Sequence, residues 1–249
     1  MLLVCSRSTE QYASDWDYDR KMLVVGPPTL DTLYLEKASE VIAIGGGSVI
    51  DTAKIISKSP VIAIPTTYSG ASRTSHAVWW DLGRKWDVHT EKPITVVKPK
   101  YLEVPLEQPM WVLWYSSADC VCHIIESLNS KRANNQSKFY ASKASELIKR
   151  EDWLNASLLA GDAIEITGTN VIHALSYALT GLYKVPHAKA LAFLLPRFAS
   201  FFSIEGINTN FNVKLDFDTE KVVDEALTYP RIFDCTRLVT RDVLLELLR

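Results

Sequence analysis

The chain has 249 residues, of which 47% are hydrophobic and 22% are charged, so it can bury a substantial core in one or two domains. Its formal charge is −2, and its lysines and arginines are spread along the chain, which excludes the basic footprint of a nucleic-acid-binding protein. No apolar run approaches the roughly 20 residues that span a bilayer, and the N-terminus lacks the features of a signal peptide, so the sequence predicts a soluble, cytoplasmic protein without membrane partners.

The first part of the chain alternates short apolar runs with turn residues. These runs are rich in β-branched residues and occupy positions 2–5, 22–25, 41–44, 61–64 and 94–97. Such runs are typical of buried strands in a parallel sheet. Between the third and fourth runs, Val49, Ala53 and Ile56 recur at helical spacing within residues 48–57, which predicts a βαβ unit.

The second part of the chain has helical periodicity. The helical segments cover residues 116–130, 140–149, 153–164, 170–182 and 188–202. Four prolines, at positions 93, 99, 105 and 109, would interrupt any helix that ran through the junction. The sequence therefore predicts an α/β domain over residues 1–105 and an all-α domain over residues 106–249.

Three consecutive glycines, Gly45, Gly46 and Gly47, connect a predicted strand to a predicted helix and are followed by Ser48. Glycines permit positive φ and close approach of a ligand, and the first N–H groups of a helix attract an anion. The pattern predicts a site for the pyrophosphate of a dinucleotide, although it is not the GxGxxG fingerprint. A tight connection with Ser48 as the helix cap would explain the same residues without a ligand.

Hydroxyl side chains follow the next predicted strand, at Thr66, Thr67 and Ser69. In a parallel sheet the carboxyl ends of the strands meet at one edge, so we expect these hydroxyls near the glycine turn. All three are predicted to contact the cofactor.

Asp119, His123, His173 and His187 are the candidate metal ligands of the second part. Asp119 and His123 are four residues apart and therefore share one helix face. One carboxylate with three imidazoles suits Fe(II), Zn(II) or a similar first-row ion.

The chain must turn between the last two of these histidines, because their separation on one straight helix would be roughly 21 Å. Gly181 and Pro186 are predicted to supply the break. Cys120 and Cys122 lie beside the first two ligands, but buried free cysteine behaves as a small hydrophobe. We expect both thiols to fill core space rather than bind metal.

Together these motifs resemble the iron-containing alcohol dehydrogenase family, to which glycerol dehydrogenases and dehydroquinate synthases are close. The matching segments are GGGSVIDTAK at 45–54, IPTT at 64–67, ADCVCHIIE at 118–126, HALSY at 173–177, PH at 186–187 and LP at 195–196. The resemblance implies a dehydroquinate synthase-like fold, with an N-terminal α/β dinucleotide-binding domain and a helical metal-binding domain. The chain resembles a shortened member, and the family precedent favours a homodimer.

The resemblance also implies roles for individual residues. Asp51 belongs to the nucleotide motif, and Tyr177 stands where the family commonly has a proton-relay histidine, so Tyr177 is the candidate catalytic group. Ser6 and Arg7 occupy the end of the first strand, where an acidic residue often selects NAD, so Arg7 is predicted to favour NADP. Apart from the resemblance, Lys85 is a candidate contact for a charged substrate or a phosphate, with an ordinary solvated loop as the alternative.

The function that follows from the resemblance is reversible hydride transfer between NAD(P) and a small alcohol or aldehyde, with Fe(II) or Zn(II) polarising the substrate oxygen. Two alternatives use the same scaffold. One is a metal-dependent cyclase or lyase of the dehydroquinate synthase type, and the other is a nucleotide-binding protein without turnover.

Overall fold

The computed structural model describes residues 1–97, 110–204 and 211–249. The chain divides into two compact units, Met1–Leu113 and Trp114–Arg249. The boundary that the sequence predicts near residue 105 lies outside the described residues. Among the helices that are described, none has the length and apolar character needed to cross a bilayer.

The first unit contains a five-stranded sheet in which every neighbouring pair is parallel. Its strands are β1 Leu2–Cys5, β2 Arg20–Leu23, β3 Val41–Gly45, β4 Ile62–Pro65 and β7 Ile94–Thr95. Their spatial order is β2-β1-β3-β4-β7. The five strands predicted from the sequence are thus confirmed in order, and their mutual direction is that of a parallel sheet.

The three inner strands are covered on both faces. Leu2 and Val4 of β1 belong to one apolar cluster, whereas Leu3 and Cys5 belong to another, as expected for side chains that alternate across a sheet. The two edge strands differ from the prediction of buried strands, because β2 is mostly exposed and Ile94 of β7 is 57% exposed. Each edge strand is paired with only one other strand and is therefore more exposed to solvent.

Helix α1, Gly47–Ile56, follows β3 directly and completes the predicted βαβ unit with β4. An antiparallel hairpin, β5 His76–Asp81 and β6 Arg84–His89, forms a second sheet that the sequence did not predict. Short 3-10 helices at Arg7–Asp15, Leu30–Tyr34 and Ala71–Arg73 complete the described part of this unit.

The second unit is helical in its described residues. Its helices are α2 Met110–Leu128, α3 Asn135–Ile148, α4 Trp153–Thr167, α5 Val171–Tyr183, α6 His187–Phe201, α7 Thr219–Ala226 and α8 Arg241–Leu248, with a 3-10 helix at Pro230–Asp234. Helix α3 packs against α4, and α5 packs against both α6 and α7. The predicted fold, an α/β unit followed by a helical unit, is confirmed.

The break between α5 and α6 lies within the segment from Gly181 to Pro186, as the sequence predicts, and His187 is the first residue of α6. Gly181 is a buried residue inside α5. The helix instead ends at Tyr183, with Lys184 in the left-handed region at φ 57°, and Pro186 is the N-cap of α6. The predicted role of Pro186 in the break is confirmed, whereas that of Gly181 is wrong because this glycine continues the helix as a small buried residue.

Candidate metal centre and nucleotide turn

Helix α2 carries the first two candidate ligands on one buried face. The spacing of four residues brings His123 Nε2 to 3.1 Å from Asp119 Oδ1. Both side chains are almost fully buried. A carboxylate and an imidazole are therefore held together without competition from bulk water.

His173 joins this pair from the first turn of α5. Its Nε2 lies 3.3 Å from the same Asp119 Oδ1, and its ring stacks on that of His123 with centroids 4.8 Å apart and planes at 9°. Asp119, His123 and His173 form the one group in the described residues whose potential ligand atoms, one from each side chain, all lie within 4.8 Å of one another. The structure thus brings together three of the four predicted ligands.

The spacing of these atoms fits a first-row ion. For bonds of about 2.1 Å, neighbouring ligand atoms are about 3.0 Å apart in an octahedron and about 3.4 Å apart in a tetrahedron. The two separations from Asp119 Oδ1, 3.1 and 3.3 Å, fall in that interval. His123 Nδ1 is buried and has no hydrogen-bond partner in the described residues. No hydrogen bond at Nδ1 therefore requires the proton of this ring to lie on Nε2, the nitrogen that faces Asp119.

His187, the fourth predicted ligand, is close to the group but not within it. It is the first residue of α6, its ring centroid lies 5.5 Å from that of His173, and its Nδ1 is 3.2 Å from Ser176 Oγ. Because the Ser176 hydroxyl donates to the carbonyl of His173 at 2.7 Å, its oxygen is left to accept from His187 Nδ1. Ser176 therefore favours the tautomer in which His187 Nε2 carries a lone pair.

Glu126 is a residue of this site to which the sequence analysis gave no role. Its side chain is completely buried, and one carboxylate oxygen, Oε2, lies 2.7 Å from His173 Nδ1. The carboxylate also accepts the backbone N–H groups of Asn170, Ile172 and His173 at 2.9, 2.6 and 3.1 Å. The available signal was its spacing, because Glu126 follows Asp119 by seven residues and therefore lies on the same face of α2.

The electrostatics of the group follow from burial and mutual charge. Burial disfavours ionised Asp119, but the three histidines around it outweigh this and lower the pKa of the carboxyl to about 2. Burial lowers the pKa of His123 to about 4, so this ring is neutral at pH 7. Burial also opposes charge on His173, yet Glu126 and Asp119 on either side raise its pKa well above the ordinary value.

Tyr177 lies one helical turn after His173 on α5. Its ring stacks on His187 with centroids 5.6 Å apart and planes at 17°, and its hydroxyl lies 3.1 Å from Thr169 Oγ1. Burial raises the pKa of this phenol, so the hydroxyl keeps its proton at neutral pH. The candidate catalytic group is thus adjacent to two candidate ligands.

Cys120 and Cys122 are both buried on α2. Burial raises the pKa of each thiol, and the neighbouring carboxylates raise it further. Neither thiol belongs to the group of potential ligand atoms formed by Asp119, His123 and His173, in agreement with the predicted packing role.

In the first unit, the glycine turn is built by close contacts. Gly46 is the N-cap of α1, and a Cβ at this position would lie 3.0 Å from Thr67 Cγ2. A Cβ on Gly45 would lie 2.6 Å from Val49 Cγ2. Neither Gly45 nor Gly46 is among the described residues with positive φ. These two glycines are required for space.

The predicted hydroxyls surround this turn. Gly45 pairs with Pro65 in the parallel register of β3 and β4, so Thr66 and Thr67 follow at the same sheet edge. Thr67 Oγ1 donates to Ser69 Oγ at 3.3 Å, whereas the buried Thr66 Oγ1 has no hydrogen-bond partner in the described residues. A buried hydroxyl of this kind beside a glycine turn is suited to a polar ligand.

Ser48, offered as an alternative helix cap, is instead the second residue of α1, and Gly46 is the cap. Farther along α1, Asp51 is paired with Lys54 Nζ at 3.2 Å. The ammonium of Lys54 also donates to Thr74 Oγ1 at 3.1 Å and to the carbonyl of His76 at 2.7 Å. This buried network joins the helix of the nucleotide motif to the hairpin strand β5.

The remaining candidates lie elsewhere in the first unit. Ser6 and Arg7 follow β1, where the Ser6 backbone N–H donates to Thr9 Oγ1 at 3.0 Å and the Arg7 side chain is exposed. Lys85 is on β6, with its Nζ 3.6 Å from Asp87 Oδ1. The alternative of a solvated loop around Lys85 is wrong, because cross-strand pairing with β5 holds this segment extended.

Comparisons with known proteins agree for both units. Residues 26–98 match the family model of iron-containing alcohol dehydrogenases, and residues 114–210 match that of the C-terminal region of the same family. A 4-hydroxybutyrate dehydrogenase from Clostridium kluyveri is 30% identical over 61% of this chain and 52% of its own length. An NAD-dependent methanol dehydrogenase from Bacillus methanolicus is 27% identical over 69% of this chain and 55% of its own length.

The chain spans about half the length of these curated relatives. A solved iron-containing alcohol dehydrogenase from Thermotoga maritima superimposes with a TM-score of 0.79, covering 99% of this chain and 90% of that chain at 20% identity. At this level of identity the superposition supports the fold.

Proposed function

Since the chain belongs to the iron-containing alcohol dehydrogenase family, we propose that it is a metal-dependent, NAD(P)-linked oxidoreductase that interconverts an alcohol with an aldehyde or ketone. The observation that carries the proposal is the convergence of His123 Nε2 and His173 Nε2 on Asp119 Oδ1 in a buried position. Named relatives are dehydrogenases of small alcohols and hydroxy acids, which supports the reaction class.

Asp119, His123, His173 and His187 would hold Fe(II) or Zn(II), and the donor set suits either ion. When bound, the ion polarises the oxygen of an alcohol or carbonyl substrate, and a nicotinamide dinucleotide exchanges the hydride. Asp119 supplies the negative charge of the ligand set, because its low pKa keeps it ionised throughout the neutral range. Ser176 turns His187 so that its Nε2 can serve as the fourth ligand atom.

Tyr177 is proposed to hold the proton that the family commonly places on a histidine. Its raised pKa means that the hydroxyl is neutral near pH 7 and can act as a hydrogen-bond donor. Thr169 Oγ1, at 3.1 Å, is the neighbour with which this hydroxyl can exchange hydrogen-bond roles.

The glycine turn is proposed to hold the cofactor phosphates. Gly46 keeps the space beside Thr67 free of a side chain, and the first N–H groups of α1 follow directly. Arg7, exposed after β1, is the proposed partner of a 2′-phosphate, which would make NADP the preferred cofactor.

The test uses the purified chain, stripped of metal and then reloaded with Fe(II) or Zn(II). NADH and NADPH are each supplied with a panel of small aldehydes, including a 4-carbon ω-carboxy aldehyde, while absorbance of the reduced cofactor is followed. We expect metal-dependent oxidation of the cofactor with at least one aldehyde. If neither cofactor is oxidised with any aldehyde by protein that carries one equivalent of metal, the proposed activity is wrong.

A further inference from the structure

Glu126 has an unusually complete set of hydrogen bonds for a buried carboxylate. Its Oε1 accepts the N–H groups of Ile172 and His173, and its Oε2 accepts that of Asn170. The fourth contact is His173 Nδ1 at 2.7 Å from Oε2. In addition, Asn170 Nδ2 donates to the backbone carbonyl of Glu126 at 3.1 Å.

The chemistry of a carboxylate fixes the proton in the fourth contact. An ionised carboxylate can only accept hydrogen bonds, so His173 Nδ1 must carry the hydrogen. The N–H groups at the start of α5 and its dipole favour the ionised form of Glu126. In the neutral ring the other nitrogen, Nε2, then has the lone pair, and Nε2 is the atom that lies 3.3 Å from Asp119 Oδ1.

The same carboxylate also fixes the position of the ring. Two of its bonds go to the backbone of Ile172 and His173, while a third goes to the imidazole itself. One carboxylate on α2, seven residues after Asp119, therefore holds both the main chain and the ring of His173 in place. A shift of α5 along or around its axis would break several of these bonds together.

We propose that Glu126 is a positioning residue of the metal centre, which holds the His173 ring with Nδ1 protonated and Nε2 directed at the ion. This inference rests on the proposed function for the existence of a metal at Asp119, His123 and His173. A carboxylate that merely capped α5 would need the backbone contacts alone, so the ring contact separates positioning from capping.

Glu126→Gln is the sharpest variant, because it keeps the shape and one carbonyl oxygen but places an amide N–H₂ against groups that are themselves donors. The matched control is Glu146→Gln on α3, where an exposed glutamate is paired with Lys143 at 2.8 Å. His173→Ala marks the effect of losing the ligand itself.

The full-length chain of each variant is titrated with Co(II) and with Zn(II) against a competing chelator, and the visible absorption of bound Co(II) is recorded. We expect Glu126→Gln to weaken metal binding about 10- to 100-fold and to alter the Co(II) spectrum, whereas Glu146→Gln changes neither. Wild-type affinity and an unchanged spectrum in Glu126→Gln would overturn the proposal.

A second measurement does not depend on the folding of Glu126→Gln. In the Zn(II)-loaded wild-type chain labelled with ¹⁵N-histidine, the resonances lost in His173→Gln identify His173. We expect a metal-bound Nε2 and a protonated Nδ1. A metal-bound Nδ1, or an Nδ1 without its proton, would overturn the proposal.

These outcomes separate the inference from the proposed function. A wild-type chain that binds metal through His173 but turns over no aldehyde would refute the proposed reaction and leave the role of Glu126 standing. If the wild-type chain binds no metal, or if His173→Ala binds it as tightly, both proposals are wrong.

Discussion

The two units build their candidate sites in opposite ways. In the α/β unit the site is a backbone feature, because Gly45 and Gly46 leave room next to Val49 and Thr67 within one βαβ segment. In the helical unit it is a side-chain feature, because Asp119 and His123 of α2 meet His173 of α5 from a distant part of the chain. The first site depends on local backbone geometry, and the second on the register of one helix against another.

The comparison also shows where charge is buried. The α/β unit buries Lys54 with Asp51 in an ion pair that Thr74 and a backbone carbonyl complete. The helical unit buries two carboxylates and two imidazoles in contact, and their pKa values move far from the ordinary ones. Ionisation of these groups therefore affects the stability of the helical unit, and it would also affect the proposed metal binding.

Removal of the shared carboxylate should have the largest effect. In Asp119→Ala both Nε2 contacts at the centre of the group are lost, so we expect metal affinity to fall by more than about 100-fold and cofactor oxidation to fall in proportion. Cofactor binding, measured by fluorescence of NADPH on the metal-free protein, should stay within a factor of about two. A variant that retains one equivalent of tightly bound metal would contradict the ligand assignment.

The stability of the metal-free protein should depend on pH on both sides of about 6.5. The pKa of His123 is lowered to about 4 in the folded protein, so between pH 6.5 and 4 the unfolded chain binds a proton at this residue and the folded chain does not. The free energy of unfolding therefore falls by about 3 kcal/mol over this range. The raised pKa of His173 has the opposite sign, so its contribution is fully present below pH 6.5 and is lost as pH rises through the folded pKa.

Urea midpoints measured between pH 4 and 9 after chelation check this maximum. His123→Asn removes the ring with the lowered pKa and should flatten the acid side while leaving the alkaline side in place. A wild-type curve that is flat from pH 6.5 to 4 would show that His123 titrates normally in the folded protein.

Gly46→Ala should impair the backbone site alone. The added Cβ meets Thr67 Cγ2 at 3.0 Å and Oγ1 at 3.1 Å, although the extended φ and ψ of Gly46 suit alanine. We expect the dissociation constant of NADPH to rise about tenfold and the free energy of unfolding to fall by about 1 kcal/mol. Metal affinity should not change, and a parallel loss of metal would show that the two sites are not independent.

Arg7→Ala should produce the smallest and most selective effect. Loss of the guanidinium removes the proposed contact with a 2′-phosphate, so the KM for NADPH should rise several-fold while that for NADH stays nearly constant. The pair of KM values measured in one assay is the readout. Equal changes for the two cofactors would remove the case for NADP.

Much of the fold could be predicted from the sequence because its signals are local. The apolar runs of β1, β3 and β4 are buried on both faces, so they show as continuous hydrophobic segments. The hairpin was missed because its two-residue turn is Leu82-Gly83, with φ of 46° and 82°, rather than the usual Asn-Gly or Asp-Gly. Helices α7 and α8 were missed because each has only eight residues, too few to establish a period.

The sequence by itself determined the family, the parallel sheet and the placement of Asp119 and His123 on one helix face, because helical and strand periods are properties of a few consecutive residues. Only the tertiary structure decided that Glu126 of α2 faces His173 of α5, and that Asp119 of α2 meets the same histidine. Those outcomes depend on which buried donors and acceptors meet when distant helices pack, and sequence spacing does not encode that meeting.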